Sequence, residues 1–283
     1  MRSSILAGVI LLTAAYAAAA DEPVTRIASG IAGGTYHDVY AENLVRELAS
    51  FGATSLETSG SGENYELLVA GKAQLAFVQA DIYASRIKEN PEFLEGQVVL
   101  GRLADECIYI AGRKDGPVSS VRDLGQPVGD REARISVGAE ESGMTGSWDY
   151  LVTLKPALAE ASVLHSEGIR AIKQLAAGEL DAVAWVTDPA NRGHKMLQNV
   201  NAKRALALMP LDDPKLANVL PDGTQVYTLR KVTTKKGLFW SRRLDTLCTS
   251  ALVVGRRDLM APGLEAAVTK LLQENRDLIV SGR

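Results

Sequence analysis

Sulfur, imidazole and aromatic carbon are all scarce in this chain. Its 283 residues include two cysteines, three histidines, three tryptophans, eight tyrosines and four phenylalanines. Two cysteines cannot build a disulfide scaffold. The histidines, His37, His165 and His194, lie too far from each other and from Cys107 and Cys248 in sequence to show zinc-ligand spacing. Positive charge is limited as well: 31 Lys+Arg against 34 Asp+Glu leave a formal charge of -3, which argues against a nucleic-acid-wrapping protein. Nothing beyond the N-terminus approaches eighteen uninterrupted apolar residues, so no membrane-spanning helix is expected. Nucleotide and hydrolase signatures are missing: there is no GxGxxG, no GK[ST] after a glycine-rich loop, no GxSxG and no HExxH. His165 and Ser166 are neighbours in sequence, and on a strand neighbours point to opposite faces. The expectation is a non-enzymatic chain with no cofactor, no metal and no nucleic-acid partner.

What is present is ample apolar material. At 46% hydrophobic and 23% charged residues the chain can bury a real core, and its length suits one large domain or two smaller ones. The first twenty residues stand apart from that core. Arg2, the apolar run Ile5 to Leu12 and the small residues Ala17 to Ala20 before Asp21 have the layout of a secretory signal cleaved near Ala20. Export would place Cys107 and Cys248 in an oxidising compartment, where they are either a disulfide or two buried small hydrophobes.

Beyond the signal, extended and helical patterns alternate. Strands are expected at 24–28, 54–58 and 74–79, with helices at 35–50, from Ser61 to Gly71, and at 82–88. The first helix shows Tyr36, Tyr40, Leu44 and Leu48 at intervals of four, with Gly52 as its stop. A second unit repeats the rhythm: strands at 135–139, 162–165 and 182–187, and helices at 142–154 and 167–177. Asp188 and Pro189 are expected to open another helix, with Pro262 starting the last one. The units also rhyme in sequence, since Leu68, Gly71 and Asp81 match Leu175, Gly178 and Asp188 at one constant offset. This rhythm predicts an α/β fold of two lobes. The apolar stretches at 98–114 and 249–254 would cross between them and form a hinge beside a cleft. The division expected is 21–110 with 250–283 for the first lobe and 111–249 for the second.

Three glycine-rich bends are the candidate site. Gly33, Gly34, Thr35 and Tyr36 lie between a strand and a helix start, where uncovered amide hydrogens and the positive end of the helix favour an anion. Ser59, Ser61 and Asn64 mark a second such bend, and Ser142, Gly143 and Thr145 a third, in the other unit. Gln79, Trp185 and Thr187 stand at strand ends, where α/β sheets bind ligands. Asp81 and Asp188 are either helix caps or holders of an ammonium group. The basic cluster Arg230, Lys231, Lys235, Lys236, Arg242 and Arg243 reads as a solvated face.

The run Gly33-Gly-Thr-Tyr36, the bend Ser59-Gly-Ser-Gly-Glu-Asn64 and the segment Leu68 to Gln79 resemble the TAXI family, the extracytoplasmic solute receptors of TRAP transporters. Val118 to Leu124 and Leu252 to Leu259 continue the likeness. The resemblance implies a two-lobed type II periplasmic-binding-protein fold with a hinged inter-lobe cleft. It further implies a periplasmic receptor that captures a small organic anion or amino acid, glutamate- or dicarboxylate-like, and delivers it to TRAP membrane subunits. The Gly-Gly-Thr-Tyr bend, Ser59, Ser61, Asn64 and Gln79 would be first-lobe contacts with this carboxylate-bearing ligand. The second lobe departs from the family pattern: Pro127 to Arg134 intervene, and Glu140 and Glu141 precede the Ser142 bend, weakening its pull on a multiply charged anion. A ligand sensor for a signalling partner, and a receptor for an ATP-driven importer, are the alternative uses of the same architecture.

Overall fold

The computed structural model describes residues 24–220, 223–237 and 241–281. The expected signal peptide at 1–20 lies outside the described residues. The first half runs β1 (Arg26–Gly30), α1 (Glu42–Glu47), β2 (Thr54–Glu57), α2 (Ser61–Val69), β3 (Leu75–Gln79), α3 (Ala80–Glu89) and β4 (Gln97–Arg113). The second runs β5 (Arg134–Ser136), α4 (Gly143–Leu154), β6 (Ser162–Leu164), α5 (Gly168–Ala177), β7 (Ala182–Thr187), α6 (Lys195–Ala202), β8 (Leu206–Met209), β9 (Asn218–Val219) and β10 (Gln225–Lys236). The chain returns through β11 (Ser241–Arg256) to α7 (Leu264–Glu274) and α8 (Arg276–Ser281).

The two halves share one plan. In the first, β1 lies between β2 and β3, parallel to both; in the second, β5 lies between β6 and β7, again parallel to both. Every residue of β3 is buried, and β7 is buried except at Val186, so these strands read as apolar runs rather than alternating ones. Helices cover both faces. Tyr40, Leu44, Val268 and Leu272 pack on one side of the first half and Tyr65, Leu68 and Tyr83 on the other. In the second half, Trp148 and Leu151 pack on one side and Ile172, Leu175 and Leu197 on the other. The stop after α5 is Gly178, whose φ of 82° suits a residue without a Cβ.

Two long strands join the halves. β11 runs antiparallel to β3 through Ala251 to Gly255, while β4 runs antiparallel to β7 through Cys107 to Gly112. β4 and β11 also pair with each other, from Gln97–Arg256 to Cys107–Cys248, so Ala251 to Gly255 of β11 lie between β3 and β4. Thus each strand serves a different half, and they part company at the cysteine pair. Cys107 and Cys248 are directly opposite in the register and form a disulfide.

Several local expectations change. The 35–50 helix begins as a π-helical turn, Tyr36–Ala41, before becoming α1, and a 3-10 turn at Ala49–Phe51 precedes Gly52. Gly60, not Ser61, is the N-cap of α2, because its φ of 146° makes a turn that a side chain would oppose. Asp188 opens no helix: its carboxylate accepts from the Ala190 amide in a tight turn, and α6 starts seven residues later at Lys195. The last helix starts after Gly263 and divides into α7 and α8. The β10–β11 hairpin was not anticipated; it carries the basic cluster, with Arg230 paired to Asp105 at 2.8 Å and Lys231 to Asp245 at 3.5 Å.

The bridge joins residues 141 apart in sequence. Replacing both cysteines by serine is expected to cost about 3–5 kcal/mol, seen as a lower midpoint in urea denaturation. An unchanged midpoint would mean that strand pairing alone holds the crossing.

Candidate ligand-binding cleft

The three bends converge on one cavity of about 520 Å³ between the halves, a size suited to a small ligand. Gly33, Gly34, Thr35 and Tyr36 line it from the end of β1, Ser59 and Ser61 from the start of α2, and Ser142 and Gly143 from the start of α4. Trp185, Thr187 and Asp188 line it from the end of β7, and Gln79 from the end of β3. Twelve of the fifteen sequence-derived candidates therefore share one cavity.

Each bend satisfies some of its own amides. Gly33 donates to the Asp38 carboxylate at 3.0 Å, Gly34 to the carbonyl of Ile31 at 3.0 Å, and Ser59 to the Glu63 carboxylate at 2.7 Å. In α4 the Ser142 hydroxyl caps the Thr145 amide. The expectation that the Gly33 and Gly34 amides stand uncovered is thus corrected. The amides left for a guest are those ahead of the first intrahelical bonds. These bonds run from Asn64 to Gly60 in α2 and from Gly146 to Ser142 in α4. The remaining amides are therefore those of Ser61, Gly62 and Glu63 at one helix and of Gly143 and Met144 at the other, and of these residues Ser61, Gly143 and Met144 line the cavity.

Three candidates do not line the cavity. Asn64 is buried behind the bend, its amide donating to the carbonyls of Ser29 and Phe77 while Thr58 donates to its oxygen. It ties β1, α2 and β3 together. Thr145 turns back, donating its hydroxyl to the Ala139 carbonyl at 2.6 Å. Asp81 is 0% exposed in α3 and accepts from the hydroxyls of Ser147 and Tyr227, both in the second half. Its matched partner in the repeat, Asp188, does line the cavity.

Gln79 borders the cavity, yet its polar groups are used by the protein. Its Nε2 donates to Ser147 at 3.1 Å, and its backbone amide donates to the Ser61 hydroxyl at 3.2 Å. A Cβ at Gly143 would come within 1.8 Å of Gln79 Oε1, and one at Gly146 within 2.6 Å of Ile82. Glycines in the third bend therefore serve close approach of the two halves. Buried polar groups in such contacts require partners, and the chain Gln79–Ser147–Asp81–Tyr227 supplies them. Burial raises the Asp81 carboxyl pKa, opposed by the hydrogen bonds from Ser147 and Tyr227.

The cavity floor carries residues that the sequence patterns did not single out. Cys107 pairs with Thr187 at the last rung between β4 and β7, and Glu106 and Asp188 are the next residues beyond it on the two segments. Glu106 lines the cavity and accepts from the Tyr36 hydroxyl at 2.9 Å. Burial, above all, pushes its pKa up to about 7; the Tyr36 hydrogen bond lowers it, and the Asp81 and Asp188 charges raise it further. Glu167 is a third lining carboxylate, while no arginine or lysine lines the cavity. Beside the acids stands an aromatic stack. Tyr109 lies 5.5 Å from Trp185 with planes 11° apart, and His194 lies 6.4 Å from Trp185 with planes 9° apart. Burial lowers the His194 pKa, favouring the neutral ring. Trp185 Nε1 and Tyr109 Oη are buried with no hydrogen-bond partner. Strand register could have revealed Glu106; no sequence pattern announces His194.

Among the described residues no group of three or more His, Cys, Asp and Glu could hold a metal ion, and no helix is long and apolar enough to cross a membrane. The NMT1-like family matches residues 27–282, and the chain belongs to that family. YhfZ from Shigella flexneri has a similar structure, at 15% identity over 93% of this chain and 92% of that one, with a TM-score of 0.56. XAC2383 from Xanthomonas citri, bound to ATP, is similar at 12% identity over 91% of this chain and 86% of its own, with a TM-score of 0.51. The periplasmic aliphatic sulphonate binding protein SsuA from Escherichia coli matches at 14% identity over 91% of this chain and 72% of that one, with a TM-score of 0.46. The fold is a mixed α/β architecture of two like halves, similar to those of YhfZ and XAC2383.

A carboxyl whose pKa rises from 4.5 in the unfolded chain to about 7 in the folded one binds its proton more tightly when folded. Its contribution therefore turns unfavourable as pH climbs through that window. Glu106→Gln is expected to unfold at higher urea than the parent at pH 8, by roughly 1–3 kcal/mol. The two should coincide near pH 4. A constant gap at both pH values would refute the assignment of this slope to Glu106.

Proposed function

We propose that the protein is an exported solute receptor that closes its two lobes on a small carboxylate-bearing ligand. The observation that carries this reading is the convergence of bends from both halves on one cavity. The amides of Ser61, Gly143 and Met144, with the hydroxyls of Thr35 and Ser61, would hold the carboxylate from the two sides. Helix starts favour negative charge without a counter-cation, and here no lysine or arginine competes for the role.

Membership of the NMT1-like family supports a receptor, and the resemblance to TAXI proteins supports delivery to the membrane subunits of a TRAP transporter. Signal cleavage near Ala20 would release the chain into the periplasm. The proposed lobes, 21–110 with 250–283 and 111–249, meet where β4 and β11 pass from one half to the other. Each strand is then a hinge, stapled to the other by Cys107–Cys248. The ATP held by XAC2383 is no guide to the ligand, since a triphosphate would meet three carboxylates and no cationic side chain.

Calorimetric titration of the purified, ligand-stripped protein with amino acids and dicarboxylates tests the reading. Micromolar binding by one class is expected. A hundredfold excess over Kd should add about 2.7 kcal/mol of stability, with a matching rise in Tm. Neither heat nor a Tm shift with any compound would sink the proposal.

A further inference from the structure

We infer that the ligand carries a protonated amine, seated between Glu106 and Asp188, so that the receptor selects zwitterions such as α-amino acids and rejects nitrogen-free dicarboxylates. This inference rests on the receptor reading above and deepens it.

The cavity has two chemically distinct ends. Its donor side is formed by the first-turn amides of α2 and α4, helices of nine and twelve residues. Trp185 adds to it. The indole lines the cavity, is 5% exposed, and stacks with both Tyr109 and His194. Its edge carries Nε1–H, a donor only, and it is buried without an acceptor. A buried unpaired donor is disfavoured, and a ligand carboxylate or carbonyl oxygen would satisfy it. Stacked with two rings and 5% exposed, the indole offers little open π surface to a cation, and the positive group goes elsewhere.

The acceptor side is that elsewhere. Glu106 on β4 and Asp188 just after β7 flank the last β4–β7 rung, Cys107–Thr187, and both line the cavity. Neither forms an ion pair with a lysine or arginine among the described residues. Glu106 receives a single neutral hydrogen bond, from Tyr36, leaving lone pairs for an ammonium. Two neighbouring carboxylates with no cation repel each other in a site of low dielectric. An ammonium between them removes that repulsion, whereas a second ligand carboxylate would add to it. The sequence-level pairing of Asp81 with Asp188 as amine holders is thereby replaced. Asp81 is spent on Ser147 and Tyr227, and Glu106 takes its place.

The test is titration of the full, ligand-stripped protein with the twenty L-amino acids, their N-acetyl derivatives, 2-oxoglutarate and succinate. At least one amino acid is expected to bind at least a hundredfold more tightly than its N-acetyl derivative, with no measurable binding of succinate or 2-oxoglutarate. For that amino acid, Glu106→Gln and Asp188→Asn should each weaken binding tenfold or more without lowering Tm. Tight binding of succinate or 2-oxoglutarate, with Glu106→Gln unaffected, would overturn the amine subsite and leave the receptor reading standing. Silence across the whole panel would overturn both. Should a variant fail to fold, the parent protein's discrimination between amino acid and N-acetyl derivative still decides the matter.

Discussion

The pairing of β4 with β11 is the constraint on which the rest of the molecule depends. β11 pairs with β4 along one edge and with β3 along the other, while β4 continues past Cys107 to pair with β7. Two α/β halves thereby become one continuous sheet, with only two strands passing between them. The register of that pairing also determines which side chains reach the cavity floor. A slip of one residue would turn Glu106 away from the cleft and Cys107 toward it, because strand side chains alternate. The disulfide between Cys107 and Cys248 fixes the register at the point where the strands diverge. It lies one residue from Glu106, so the covalent staple and the cavity floor are held by the same few residues.

A second constraint is the closeness of the halves above that floor. Gly143 and Gly146 let α4 approach Gln79 and Ile82 more closely than any Cβ would permit. Contact this close leaves no room for water, so the polar groups trapped there must satisfy each other. Asp81 collects the hydroxyls of Ser147 and Tyr227, and Ser147 collects the Gln79 amide. Separating the halves would expose the Asp81 charge to water, which relieves its desolvation while breaking three hydrogen bonds. Such opposing terms suit a contact that must form and break repeatedly, because neither state wins by a large margin.

Much of this architecture was legible before any coordinates. Apolar periodicity located the parallel strands and most of the helices, and the constant offset between Leu68–Asp81 and Leu175–Asp188 marked a repeat that recurs in the strand order β2-β1-β3 and β6-β5-β7. The bends were legible because glycine and serine have few other uses between a strand and a helix. The losses have physical causes. Asn64 and Thr145 look like ligand contacts because a buried side-chain cap and an open one use the same residue types. Asp81 and Asp188 share a place in the repeat, yet after β3 the chain enters a helix at once, and after β7 it makes a turn and delays α6 to Lys195. That delay leaves Asp188 at the cavity and buries Asp81. The β10–β11 hairpin was hidden because exposed basic residues interrupt its apolar alternation around the buried Val232, Leu244 and Leu247.

The missed glutamate matters most for chemistry. Read from the bends alone, the cleft is an anion trap, and a dicarboxylate would be its natural guest. Glu106 changes the balance. Two helix starts contribute roughly half a positive charge each, while Glu106, Asp188 and Glu167 contribute up to three negative ones. The lining is therefore net negative even when its amides face the guest. A guest with one carboxylate can still be held, provided that it brings positive charge to the far end. Asp188 in the turn after β7 and Glu106 within the crossing strand β4 share one cavity with the first-turn amides of α2 and α4, and a molecule with a positive and a negative group a few bonds apart is complementary to both.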